Sequence, residues 1–329
     1  MKSLLLALLV VVAAVAPAVL HNPYYLNLLT QACIASMFAL SLDLLCGHAG
    51  LDSLAHGGFL GLSAYTSAWL TMSLGFGHLP AAFMALVVAS LGALVFGLIA
   101  LRAAGIGFLM ITLALGQILW GIAYRWASVT GGDNGLTRLQ RPSPFGLNLE
   151  DPVIFYWSTL ALLMSMAALI AVFAASPLGH SVRGTRDQPR RMAALGYSVF
   201  RIRLTVFVLS GFLGGVAGLV YVYYHQFISP HALSLADAAE MLLMVIIGGA
   251  GTLSGPIVGA FLLTGLKHLA SAYVERWVTL LGLVFIAVVL FLPKGIVPEL
   301  LTWRARRKNR EHTVPASSVV ALPLGKKQA

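Results

Sequence analysis

Apolar residues fill blocks of about twenty along nearly the whole chain, and most blocks end at a glycine, a proline or a short polar stretch. Such blocks predict bilayer-crossing helices, because about 20 helical residues span the hydrocarbon. Ten are expected, at about residues 4–20, 26–46, 54–74, 79–101, 106–126, 153–175, 204–225, 237–248, 253–271 and 277–292. The eighth is short enough to be a broken or tilted half-helix. One long polar interruption, Ser176 to Arg203, holds six Arg and a single acidic residue, Asp187, in twenty-eight positions. Its second half, Arg190 to Gly196, mixes apolar and basic residues as a docking helix would. Arg186, Asp187, Arg190, Met192, Leu195 and Gly196 are therefore expected to meet a soluble partner, with Met192 and Leu195 as apolar anchors.

Composition narrows the class. With 59% hydrophobic and 10% charged residues, the chain has too little polar surface for a soluble globule. The expected fold is an all-α polytopic membrane protein with Gly-rich breaks. Residues 1–300 form one transmembrane domain with its cytoplasmic loop at 176–203, and 301–329 form a basic tail whose far end is disordered. With the N-terminus inside, ten crossings put sixteen of the twenty-one Lys and Arg on one face, among them those of the loop and the tail. That is the positive-inside distribution, so both termini are expected in the cytoplasm. The net charge of +10 then reads as topology and attraction to anionic lipid rather than nucleic-acid binding. The first block has a second reading, since Met1-Lys2, an apolar stretch and small residues from Ala14 to Ala18 resemble a cleavable signal peptide. Its removal leaves every later orientation unchanged. Cys33 and Cys46, on one predicted helix, lie about 20 Å apart and beyond disulfide reach.

Candidate chemistry gathers where the chain breaks. Asp43, His48, Asp52 and His56 flank the turn between the second and third spans, and an ionisable group at membrane depth is costly enough to be a functional candidate. A plain inner-face turn is the alternative, favoured for Asp52, which would be hydrated or cap a helix starting at Leu54. The residues around Asp43 are otherwise apolar, and its role stays open. No metal site is expected, since the His and carboxylate spacing fits no specific ligand set. Gly211 with Gly215, and Gly214 with Gly218, have the spacing that lets helices approach closely. Gly248, Gly249, Gly251, Gly255 and Pro256 mark a break between spans eight and nine, and Gly248 to Ser254 weakly echoes Gly47 to Ser53, as in transporters built from repeats. The run Val129 to Gly135 is either an outer binding surface or a turn. The sequence has no GxxxxGK[ST] loop, HExxH or GxSxG elbow, so neither an enzyme nor a cofactor on this chain is expected.

Five motifs in order carry a resemblance. They are Gly47-His-Ala-Gly with Ser-Leu-Ala-His56-Gly-Gly-Phe-Leu-Gly-Leu-Ser-Ala-Tyr65; Ile111-Thr-Leu-Ala-Leu-Gly-Gln117; Val129-Thr-Gly-Gly with Asn-Gly-Leu136; the 176–197 loop; and Leu243-Met-Val-Ile-Ile-Gly-Gly-Ala-Gly-Thr-Leu-Ser-Gly-Pro256. Over residues 24–298 the chain resembles the branched-chain amino-acid ABC transporter permease family, its M-type subunit. The resemblance implies an importer of the bacterial inner membrane in which two homologous permease subunits form the pore. Two cytoplasmic ABC ATPases supply the force through the 176–203 loop, and a periplasmic binding protein delivers the solute. Alternating access would be the mechanism. Asp43, His56, Gln117, Gly248, Gly249 and Gly251 are expected along the substrate path, with Gln117 and the 248–251 backbone giving passing hydrogen bonds, or Gln117 merely bridging helices. The chain departs from the family pattern at Leu51-Asp52, Ala55 and Asp43, which leaves the solute open among aliphatic amino acids, urea and short amides. A self-sufficient secondary carrier is the rival class, and scarce intramembrane charge argues against it.

Overall fold

The computed structural model describes residues 23–142 except 138, residues 148–273, and positions 279, 282, 283, 286, 290 and 295–299. The first expected span, 4–20, and the basic tail, 301–329, lie outside the described residues, as does most of the last span, 277–292. The helices are α1 (Pro23–Asp43), continued by a π-helical turn at Leu44–Ala49, then α2 (His56–Ser73), α3 (His78–Ala100), α4 (Ile106–Arg125), α5 (Pro152–Ala175), α6 (Pro177–Asp187), α7 (Pro189–Ala194), α8 (Val199–His225), α9 (Leu235–Gly248) and α10 (Ser254–Tyr273). Among the described residues, five helical stretches are long and apolar enough to cross a membrane: Pro23–Ala49, α3, α4, α5 and α8. The chain is a multi-pass, mostly helical membrane protein. Its only described strands are the two-residue β1 (Leu136–Thr137) and β2 (Phe227–Ile228), paired antiparallel.

The third and eighth expected spans share an unusual start. Each begins inside the bundle. His56, the first residue of α2, is buried and bonded to Ser210, near the middle of α8. Leu54 and Ala55, just before it, lie against Gly116, halfway along α4. The chain reaches that depth through the irregular stretch 50–55, entered from the left-handed Gly50. Irregular backbone at membrane depth is tolerated only inside protein. Here Leu51, Ser53 and Ala55 are buried, and Leu54 N–H donates to Thr112 Oγ1 at 3.3 Å. The second half repeats the device. α8 ends on the left-handed Gln226, and a 3-10 turn, Pro230–Leu233, packs against α2 and α4. From there α9 starts, and its fourteen residues reach only about 21 Å. α2 starts at His56 with no side-chain cap, and Asp52 is exposed, so the capping role expected of Asp52 at Leu54 is not what the structure shows.

Small residues bring the central helices together. Ala81, Ala85, Ala89 and Ala93, four apart on α3, are all fully buried. A side-chain carbon on Gly211 would strike Ala93, and one on Gly215 would come 2.8 Å from Ala89. Gly218 lies against Leu60 and Ser63 of α2, and Gly214 near Ser41, Phe59 and His56. Close backbone approach replaces the hydrophobic drive that lipid removes.

At one end, Arg141 fastens the 127–152 connection to the bundle. Its guanidinium donates to the carbonyls of Tyr223 and Tyr224 at 3.1 Å and lies over the Phe155 ring. Those carbonyls belong to the last turn of α8, where a cation complements the helix dipole. In the run Val129 to Gly135 three glycines have positive φ, and a side chain on Gly135 would strike Ile228 O, so this run is a close turn against β2.

Candidate functional site

Two places concentrate chemistry: a junction at the basic end of the bundle and a cavity between α1, α8, α9 and α10.

At the junction the two glycine breaks of the sequence meet. Gly47 sits in the π turn, and a side-chain carbon there would strike both the Gly251 backbone and the Asp43 carboxylate. Asp43, 1% exposed, accepts a 2.7 Å hydrogen bond from Gly251 N–H. Its other oxygen is 3.9 Å from His48 Nδ1, too far for a hydrogen bond, and neither atom has a partner among the described residues. Gly248 faces Gly255, and Gly249 faces Gly295, in both cases backbone to backbone. Pairing of Asp43 with a neutral donor predicts that Asp43→Asn, whose amide oxygen can still accept from Gly251, assembles normally and keeps at least about half of parent transport. Loss of uptake at normal membrane abundance would show that the ionised group is required.

The 176–203 loop attaches at this junction. Ser176 accepts from Gly179 N–H as the N-cap of α6, and Pro177 follows at the first helical position. Val182 and Thr185 of α6 are buried, and Arg186 donates to Gly47 O. Arg186 thus reaches into the junction, although it remains partly exposed. α7 is different, since none of its residues is buried. Met192 leans back on Gly184 of α6, which fastens α7 to α6, whereas Leu195 is 67% exposed beside the exposed Tyr197. Asp187, Arg190 and Gly196 are also exposed, and Gly196 makes the turn with φ +86°.

The cavity, about 480 Å³, was not anticipated. Its walls carry Glu240 of α9 and Lys267 of α10, whose Nζ lies 3.0 and 3.2 Å from the two carboxylate oxygens. Asp237 joins Glu240 on the α9 wall, and His268 beside Lys267 bonds Gln31 Oε1 of α1 at 2.7 Å. None of the expected path residues lines it. Gln117 lines a separate cavity of about 310 Å³ with Asp133 and His231. His56 is in the core, 2.6 Å from Ser210 Oγ and edge-on to Phe38 and Phe59. The Gly251 N–H is already given to Asp43. Among the described residues, no three His, Cys, Asp or Glu gather as a metal would need.

Over residues 24–292 the chain matches the family described as branched-chain amino acid transport system / permease component. The chain belongs to this family. The permease is 28% identical over 321 residues to the high-affinity branched-chain amino acid transport system permease protein LivM of Salmonella typhimurium, covering 90% of this chain and 75% of that one. The Escherichia coli LivM matches to the same extent. The autoinducer 2 import system permease protein LsrC of Yersinia pseudotuberculosis is 29% identical over 247 residues, 71% of this permease and 67% of LsrC. No solved structure matches the chain.

Proposed function

We propose that the chain is one of two homologous permease subunits of an importer that moves aliphatic, branched-chain amino acids across a bacterial inner membrane. Two cytoplasmic ATPases would power it and a periplasmic binding protein would load it. In this reading ten spans place both termini and the 176–203 loop in the cytoplasm, the tail attracts anionic lipid, and no ATP is hydrolysed on this chain.

One observation supports coupling above the rest: Arg186, on the loop helix α6, whose Val182 and Thr185 are buried, donates to Gly47 O, where the two glycine breaks touch. A force on the exposed α7 would pass through α6 to both halves of the membrane domain. Two helices that start inside the bundle, one of them only fourteen residues long, are suited to tilt between two arrangements.

The likeness to LsrC supports a second reading, in which the same architecture carries another small polar solute. Competition uptake into vesicles containing the whole complex separates the two. Leucine, isoleucine or valine at about 100 times KM should suppress uptake roughly a hundredfold by mass action. Inhibition by urea or short amides but by none of these three would overturn the amino-acid reading and leave the permease reading standing.

A further inference from the structure

The Glu240–Lys267 pair is hard to explain as a stabilising element. Breaking even with an apolar pair of similar volume is the usual outcome for charges withdrawn from water. Ionisable groups within membrane spans tend to face a cavity or a solute route. This pair does: Glu240 is 13% exposed and Lys267 36%, both opening on the 480 Å³ cavity. That volume lies within the range of small-molecule sites.

The lining is sorted by chemistry. The Glu240 carboxylate stands on the α9 wall and the Lys267 ammonium on the α10 wall, while Asp237 faces His231 Nδ1 at 3.2 Å and His268 is bonded to Gln31. Ile34, Phe38, Met241 and Met244 supply an apolar surface between α1 and α9. We propose that this cavity is a transit subsite for a small zwitterion with an aliphatic side chain. Its ammonium group would go to Glu240, its carboxylate to Lys267, and its side chain onto Ile34, Phe38, Met241 and Met244. Glu240 and Lys267 would exchange each other for the solute's two charges, so that no ion is left unpaired during binding or release. Such an exchange keeps the site weak, as transport requires. The proposal rests on the amino-acid reading above and names the residues that would serve it.

The test uses the full complex in proteoliposomes. The double variant Glu240→Gln with Lys267→Met removes both charges together and leaves neither partner stranded. Leucine uptake should fall roughly ten- to a hundredfold, as expected when charge-assisted hydrogen bonds to the solute are lost, at unchanged membrane abundance. Uptake within about twofold of the parent overturns the subsite. Should the double variant fail to assemble, Ser271→Cys, an exposed position on the cavity lining, provides a second readout. Leucine should slow its conversion to a mixed disulfide by a small charged thiosulfonate several-fold, whereas 4-methylpentanoate and isopentylamine, each lacking one of the charges, should not. Equal protection by all three, or by none, overturns the zwitterion assignment. A parent complex that carries some other solute but not leucine would instead overturn the amino-acid reading, and the zwitterion assignment with it.

Discussion

Replacing Leu195 with aspartate should silence transport while the permease stays folded in the membrane. Leu195 is 67% exposed at the end of α7, next to exposed Tyr197, and a helix with no buried residue contributes little to the fold. Its change to Asp should therefore cost the folded chain less than about 0.5 kcal/mol, as exposed substitutions usually do. At an interface the balance reverses. Apolar anchors at interface centres are worth about 2 kcal/mol or more, and a buried unpaired carboxylate adds further cost, so ATPase binding should weaken at least ~30-fold. Co-purification of the ATPase with Leu195→Asp, together with parent rates of solute-stimulated ATP hydrolysis, would remove α7 as the coupling element.

Gly47→Val should be equally severe, by a different route. The substituted carbon would strike the Gly251 backbone, which has no flexible end to move aside, and the Asp43 carboxylate. Relief requires separating the two glycine breaks, which would cost the Asp43–Gly251 hydrogen bond and disturb the Arg186 contact. Overpacking costs about 1–3 kcal/mol and a hydrogen bond to a charged group about 1.5–3 kcal/mol, so the variant should melt well below the parent and lose at least ~tenfold in uptake. A variant with parent melting temperature and uptake would mean that the junction is neither tightly packed nor part of the moving machinery.

Much of the helical layout was legible from the apolar blocks, because length and hydropathy alone decide whether a helix can cross. The third and eighth blocks show the limit of that reasoning. Residues 50–55 and 230–233 are not α-helical at depths where lone helices would be required, and only packing against α2 and α4 makes that possible. Asp43 and Gly251 were each singled out, but nothing along the chain says that residues 208 apart share a hydrogen bond. Glu240 and Lys267 were visible as charges within the eighth and ninth blocks. The pairing across α9 and α10 that turns two expensive charges into one wall-to-wall contact exists only in three dimensions. In the basic loop the sequence marks charge and apolar content, yet the division into an α6 with one buried face and an α7 with none depends on which face Val182 and Thr185 bury.

The most direct measurement on this permease is ATP dependence. The complete complex, reconstituted with its ATPases and binding protein, should accumulate leucine against its gradient with ATP in the ATPase-side compartment and not with a non-hydrolysable analogue. Equal, gradient-limited uptake with and without hydrolysis would contradict an ATP-coupled permease and point to a self-sufficient carrier.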